Sequence, residues 1–277
     1  MTFESYARAS LVDIYTAPLL DRAQRFEINT LESGVLLNDG LGHFKFRPLP
    51  RLAQAAPSFG VVLEDIDGDG KTDLYLAQNC FSPQPETGRM DGGLSLLLRG
   101  NGDWTFDPVW PKESGLIVPG DAKSLVITDL NGDGWPDFVV GINDGEPMAF
   151  ENRGSDKNHV VNIHLAGNLG NPTAIGSSVT VTRTDGWTQT AEVSAGGGYL
   201  SQSSSALVFG LGATSQVKAV RVRWPNGETT SATSMPFPRT ILLKQPERPE
   251  PGTRPSRTPQ PAQQRPRQQD HTEGAPR

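Results

Sequence analysis

Two stretches of the chain share one pattern of oxygen-bearing side chains: Asp65-Ile66-Asp67-Gly68-Asp69-Gly70-Lys71-Thr72-Asp73 and Asp129-Leu130-Asn131-Gly132-Asp133-Gly134-Trp135-Pro136-Asp137. In both, carboxylate or amide oxygens fall at positions 1, 3, 5 and 9, glycine stands at position 6 for a sharp turn, and position 7 offers a backbone carbonyl. A hard cation of calcium size takes such a set, because it binds oxygen donors in a wide, adaptable shell. The expected ligands are Asp65, Asp67, Asp69, the Lys71 carbonyl and Asp73 in the first loop, and Asp129, Asn131, Asp133, the Trp135 carbonyl and Asp137 in the second. Carboxylates brought to about 5 Å repel by roughly 3 kcal/mol per pair at an effective dielectric near 20. The first loop carries four of them, so its closure without a cation is opposed. Asx turns account for one Asp- and Gly-rich loop, but not for two with the same ligand spacing.

The residues after each loop decide what the loops join. A helix-loop-helix calcium site needs Glu at position 12 and a following helix, whereas this chain has Leu76 and Val140 there. Leu74-Tyr75-Leu76 and Phe138-Val139-Val140 read as strands, and Pro136 pushes Trp135 towards extended backbone. The loops therefore link strands.

Short apolar runs between Gly34 and Arg153, such as Val61-Leu63, Leu94-Leu98 and Leu125-Ile127, alternate with Gly, Pro, Asn and Asp clusters and predict a meander of strands. Leu36 to Phe44 is echoed by Leu98 to Phe106, a turn-plus-aromatic unit that precedes an Asp-rich loop each time. Units of this kind cannot bury a face alone, so they are expected to stack as propeller blades do. Beyond Arg153 a second β pattern begins: Val161, Ile163 and Leu165 alternate with Asn162 and His164, and Asp185-Gly186 and Pro225-Asn226-Gly227 mark hairpin turns of a compact sandwich or barrel. Before Gly34 the spacing is helical, with one amphipathic helix expected over Phe3–Tyr15 and another opened by Pro18, packing through Leu19, Leu20, Ala23 and Phe26. From Gln245 onward no large apolar residue occurs and Pro, Gln and Arg dominate, the composition of a disordered tail. The expected fold class is thus all-β: a helical segment at 1–33, propeller-type repeats at 34–153, a β domain at 154–244 and a disordered tail at 245–277.

A formal net charge of −6 over 277 residues argues against a nucleic-acid partner, which calls for a basic footprint. No apolar run approaches the roughly 20 residues of a membrane-spanning helix, so no membrane insertion is expected. Met1 to Tyr6 shows neither the basic nor the apolar region of a secretory signal. Cys80 is the sole cysteine, which excludes an internal disulfide.

Phe59-Gly60 leading through a strand to Asp-x-Asp-Gly-Asp-Gly-x-x-Asp resembles the FG-GAP (VCBS) repeat of integrin-type β-propellers. Downstream, Ala174-Ile175-Gly176 with Val179 and Val181, Gly196-Gly197-Gly198-Tyr199 through Ser203, Phe209-Gly210-Leu211-Gly212 and Val220 to Gly227 resemble the ASPIC/UnbV domain. Their pairing is similar to the cartilage acidic protein family and its bacterial relatives. That resemblance implies a partial propeller followed by a sandwich-like domain, calcium as the bound ion, an extracellular or exported location, a role in adhesion and no catalysis. A protein or glycan is the implied partner; the competing readings are a polysaccharide-active propeller enzyme and a carbohydrate-binding accessory domain.

The remaining chemistry-bearing residues have plainer explanations. Gly196–Gly198, Gly210 and Gly212 read as turn glycines, because no phosphate-loop pattern surrounds them. Ser201 and Ser203 lie in no nucleophile elbow, His164 sits on a polar strand face, and Trp187 and Trp224 read as core rather than as a sugar platform.

Overall fold

A computed structural model describes residues 2–214, 216–233 and 239–247. The chain divides after Gln245 into two units, the first of which holds every element named below. Most of the expected disordered tail, from residue 248 onward, lies outside the described residues.

The N-terminal segment departs from expectation. In place of one helix over Phe3–Tyr15 there are two short ones, α1 (Phe3–Ala7) and α2 (Leu11–Ile14), followed by α3 (Ala17–Arg22). Ser10 is the reason for the break: its hydroxyl accepts the Asp13 N–H while the Asp13 carboxylate accepts the Ser10 N–H, a capping box that starts a fresh helix in mid-pattern. Pro18 does open α3, but none of the three helices buries a residue, so the expected packing side of Leu19 and Phe26 faces solvent.

Beyond α3 the described residues are mostly antiparallel β structure, with one parallel pairing among them. Strands β1 (Gly34–Asn38) and β2 (Phe44–Pro48) form a hairpin. A four-stranded meander follows, made of β3 (Ser58–Glu64), β4 (Asp73–Gln78), β5 (Leu96–Gly100) and β6 (Phe106–Val109) in sequential order. After the short α4 (Pro111–Ser114), β7 (Ala122–Thr128), β8 (Asp137–Ile142) and β9 (Met148–Phe150) make a three-stranded meander. The two Leu-to-Phe repeats of the sequence are both hairpin units, β1–β2 and β5–β6.

Strand β4 shows why these sheets stack. Every one of its residues is buried, and its alternating side chains serve two cores: Leu74 and Leu76 pack with Leu49, Leu98 and Phe106, while Tyr75 and Ala77 pack with Leu125, Phe138 and Val140 of the next sheet. A strand apolar on both faces must be covered on both sides. The Tyr75 and Phe138 rings lie 5.0 Å apart across the second of these interfaces. Gly60 permits the close approach there, since a Cβ on it would lie 2.7 Å from Leu125 Cβ.

The remaining strands build two facing sheets. One is β13 (Leu207–Gly212), β10 (His159–Ala166) and β16 (Thr240–Lys244), with β10 parallel to β16; the other is β12 (Thr188–Glu192), β11 (Ser178–Arg183), β14 (Val217–Arg223) and β15 (Thr229–Thr233). Val161, Ile163, Phe209 and Leu211 of the first meet Val179, Val181, Val220 and Val222 of the second in one core. Asp185-Gly186 and Asn226-Gly227 turn the hairpins as expected. Asn162 does not share the exposure of His164: it is buried in the central strand, where its N–H bonds Arg239 O at 2.7 Å.

Trp224 anchors this core, fully buried and donating from Nε1 to Thr230 Oγ1 at 2.7 Å. Its replacement by Ala is expected to cost about 3–5 kcal/mol in urea unfolding; a loss below about 1 kcal/mol would remove it from that role.

Candidate metal centre

The first Asp loop spans the connection from β3 to β4 and the second that from β7 to β8. Five hydrogen bonds of one correspond to five of the other. Position 1 accepts from the position 6 N–H (Gly70 to Asp65 Oδ2, 2.7 Å; Gly134 to Asp129 Oδ2, 2.8 Å), position 3 from position 5 (Asp69 to Asp67; Asp133 to Asn131), and position 5 from position 7 (Lys71 to Asp69; Trp135 to Asp133). Position 9 accepts twice: Asp73 from Ile66 and Gly100, Asp137 from Leu130 and Asn152. The glycines at positions 4 and 6 have positive φ in both loops, at 73° and 92° in the first and 79° and 87° in the second, where a side chain would be strained. Equal spacing in the sequence thus becomes one backbone shape built twice.

The loops differ in what the shape leaves over. Carboxylate oxygens of Asp65, Asp67 and Asp73 lie within 4.8 Å of one another. Asp65 is wholly buried, and its Oδ1 has no hydrogen-bond partner among the described residues, a costly state for a carboxylate. An all-oxygen donor set with one buried oxygen unsatisfied could hold a hard metal ion. Asp69 belongs to the same loop, but its Oδ2 is turned to Lys71 Nζ at 3.0 Å, and Asp67 Oδ2 accepts from Arg99 Nε at 3.1 Å. In the second loop Asp129 Oδ1 is satisfied by Gly132 N–H, and the Asn131 amide donates to Asp133 Oδ2 at 3.1 Å. Among the described residues the second loop forms no comparable carboxylate triad. Asn at position 3 removes one charge and contributes a donor instead.

Residues far along the chain close the first loop. Gly210, read from sequence as a turn glycine, lies inside β13, and a Cβ built on it would overlap Asp65 Oδ2. Its missing side chain makes room for the carboxylate. Gly212 N–H donates to Gly68 O at 2.8 Å, the Asn152 amide to Ile66 O and the Asn158 amide to Asp67 O, both at 2.9 Å. Trp135, expected to supply a carbonyl, has a buried ring that a Cβ on Gly68 would meet at 2.8 Å, so the second loop packs against the first. Sequence reasoning missed Gly210, Asn152, Asn158 and Arg99, because no local motif marks them. The Phe209-Gly210-Leu211-Gly212 run was the one available signal.

Burial dominates the electrostatics. Desolvation pushes the Asp65 carboxyl up to about 8, with the charges of Asp73, Asp69 and Asp67 adding to the shift against the hydrogen bond from Gly70. Desolvation likewise lifts Asp73 to about 6. In metal-free protein these groups hold protons that the unfolded chain releases near pH 4, so stability is full below that value and falls as pH rises towards 8. The expected outcome in chelator is a melting temperature that falls across this window, and added divalent cation, which favours the ionised form, should flatten the profile. A profile unchanged by cation would speak against a metal at Asp65.

Comparison with known proteins adds two findings. Residues 167–250 match the family described as ASPIC and UnbV. Over 197 residues the chain is 24% identical to cartilage acidic protein 1 of Homo sapiens and to that of Mus musculus, covering 69% of this chain but only 28% and 29% of those proteins. The chain therefore spans less than a third of the length of these curated relatives, and it is similar to them.

Proposed function

We propose that this chain is a calcium-binding, non-catalytic interaction module in which the ion locks strand junctions that would otherwise repel. The observation that carries the reading is the buried, unpartnered Asp65 Oδ1 within the cluster of Asp65, Asp67 and Asp73. Calcium is preferred among hard cations because the loop offers many oxygens in an adaptable arrangement, whereas magnesium prefers a near-ideal octahedron and keeps much of its water. Asp65, Asp67, Asp69, the Lys71 carbonyl and Asp73 form the stronger site in this reading, and Asp129, Asn131, Asp133, the Trp135 carbonyl and Asp137 the weaker.

The sequential strand order of β3–β6 and β7–β9, and their stacking through Tyr75 and Phe138, support FG-GAP-type blades of a partial propeller over 34–153. The match over 167–250 and the shared core of two facing sheets support a second, ASPIC/UnbV-like module over 154–244. Similarity to proteins named for cartilage supports reading the module as extracellular or exported and as adhering to a protein or glycan.

Calorimetric titration of chelator-stripped protein with CaCl2 tests the ion. Two unequal sites are expected, the tighter lost in Asp65→Asn and the weaker in Asp133→Ala, with wild type gaining about 2.7 kcal/mol of stability when free calcium exceeds Kd a hundredfold. Retention of both sites in the double variant, or an identical melt with and without calcium, would sink the assignment.

A further inference from the structure

Beside the first Asp loop lies an open cleft of about 380 Å³ that the ion does not explain. Gly70, Lys71 and Thr72 form one wall, the tip of the β5–β6 hairpin a second and the start of β12 a third. Two tryptophans line it, Trp104 from the hairpin tip and Trp187 from the turn before β12. Trp104 is 52% exposed and has φ of +63°, a left-handed backbone that a bulky residue rarely adopts. The tip is held in that shape: Thr105 N–H donates to Asp103 Oδ1 at 2.9 Å, and Arg47 donates to Asp103 O at 2.7 Å. Strain of this kind collects where a side chain must be presented. Trp187 is half-buried, its ring under the Arg183 guanidinium at 4.8 Å and against Gly70. Trp224, the other tryptophan weighed as a sugar platform, is core, whereas Trp187 is not.

The polar lining is uncharged apart from one group. Thr72, Thr105, Thr188, Thr190 and Gln189 supply hydroxyls and an amide, and the one charged residue, Lys71, is already paired with Asp69. Thr188 and Thr190 stand exposed on one side of β12, and the Thr190 hydroxyl lies 2.8 Å from that of Thr180. Flat aromatic faces combined with neutral donors and acceptors suit a ligand that is apolar on one face and hydroxylated at its rim. A phosphate, sulfate or carboxylate ligand would find no free cation among the described lining residues.

We propose that the cleft between Trp104 and Trp187 binds a neutral oligosaccharide, stacking pyranose rings on the tryptophans and bonding sugar hydroxyls with the exposed Thr188 and Thr190 side chains at the rim. The inference rests on the reading of this chain as an interaction module and names the ligand class. Because Gly70 to Thr72 belong to both the loop and the cleft wall, the ion also shapes one side of the sugar site.

The test applies the full chain, in millimolar calcium, to an array of immobilised neutral gluco-, manno-, galacto- and N-acetylglucosamine oligosaccharides with sulfated oligosaccharides alongside; hits are followed by tryptophan fluorescence titration. The expected result is retention on at least one neutral series, weakened tenfold or more by Trp104→Ala and by Trp187→Ala, with both variants melting cooperatively and titrating calcium as wild type does. No retention on any neutral series, binding undiminished in both variants, or binding confined to the sulfated sugars overturns the proposal. A protein that titrates calcium yet retains no sugar loses this inference alone. Loss of the calcium titration in wild type would instead remove the metal reading.

Discussion

The arrangement depends on the position of one carboxylate. Asp65 stands at the end of a strand with a free oxygen walled off from water, pressed against the backbone of Gly210 and facing Asp67 and Asp73. A negative charge in such a place is stable only if a proton or a cation neutralises it. The same residue lies where the β3–β4 turn meets β13, so neutralising it also joins the meander sheets to the facing sheets. An electrostatic requirement and a packing contact therefore act at one point.

The second loop shows what happens when the requirement is relaxed. Its backbone follows the same hydrogen-bond pattern, yet Asn131 replaces a carboxylate with an amide donor and Asp129 finds partners for both oxygens. Its Trp135 ring then becomes packing material for the first loop, among Val160 and Val208. Two copies of one motif thus divide their emphasis: the first concentrates charge, and the second supports it sterically. The turn glycines are common to both because backbone shape, unlike charge, had to be kept.

The aromatic residues follow a similar division. Trp224 and Trp135 are buried and act as wedges, whereas Trp104 and Trp187 border open space beside the loop. Local alternation separates only one of them. Trp224 lies at the end of an alternating strand whose inward register it continues, while Trp104 occupies a hairpin tip that its neighbours hold in a strained conformation.

Local information was enough for several features. The even spacing of oxygen-bearing side chains, the all-β character, the hairpin turns at Asp185-Gly186 and Asn226-Gly227, and the strands following each Asp loop are consequences of residue type and short-range period, which act within a few residues. The apolar spacing of the N-terminal segment predicts one helix, but the Ser10–Asp13 capping box overrides it and starts a second. The burial of Asn162, the sharing of β4 between two cores, and above all the role of Gly210 were decided by the tertiary structure alone. A glycine's function there is the space it leaves for a group distant in the chain, and such a relation exists only once the two segments have been brought together.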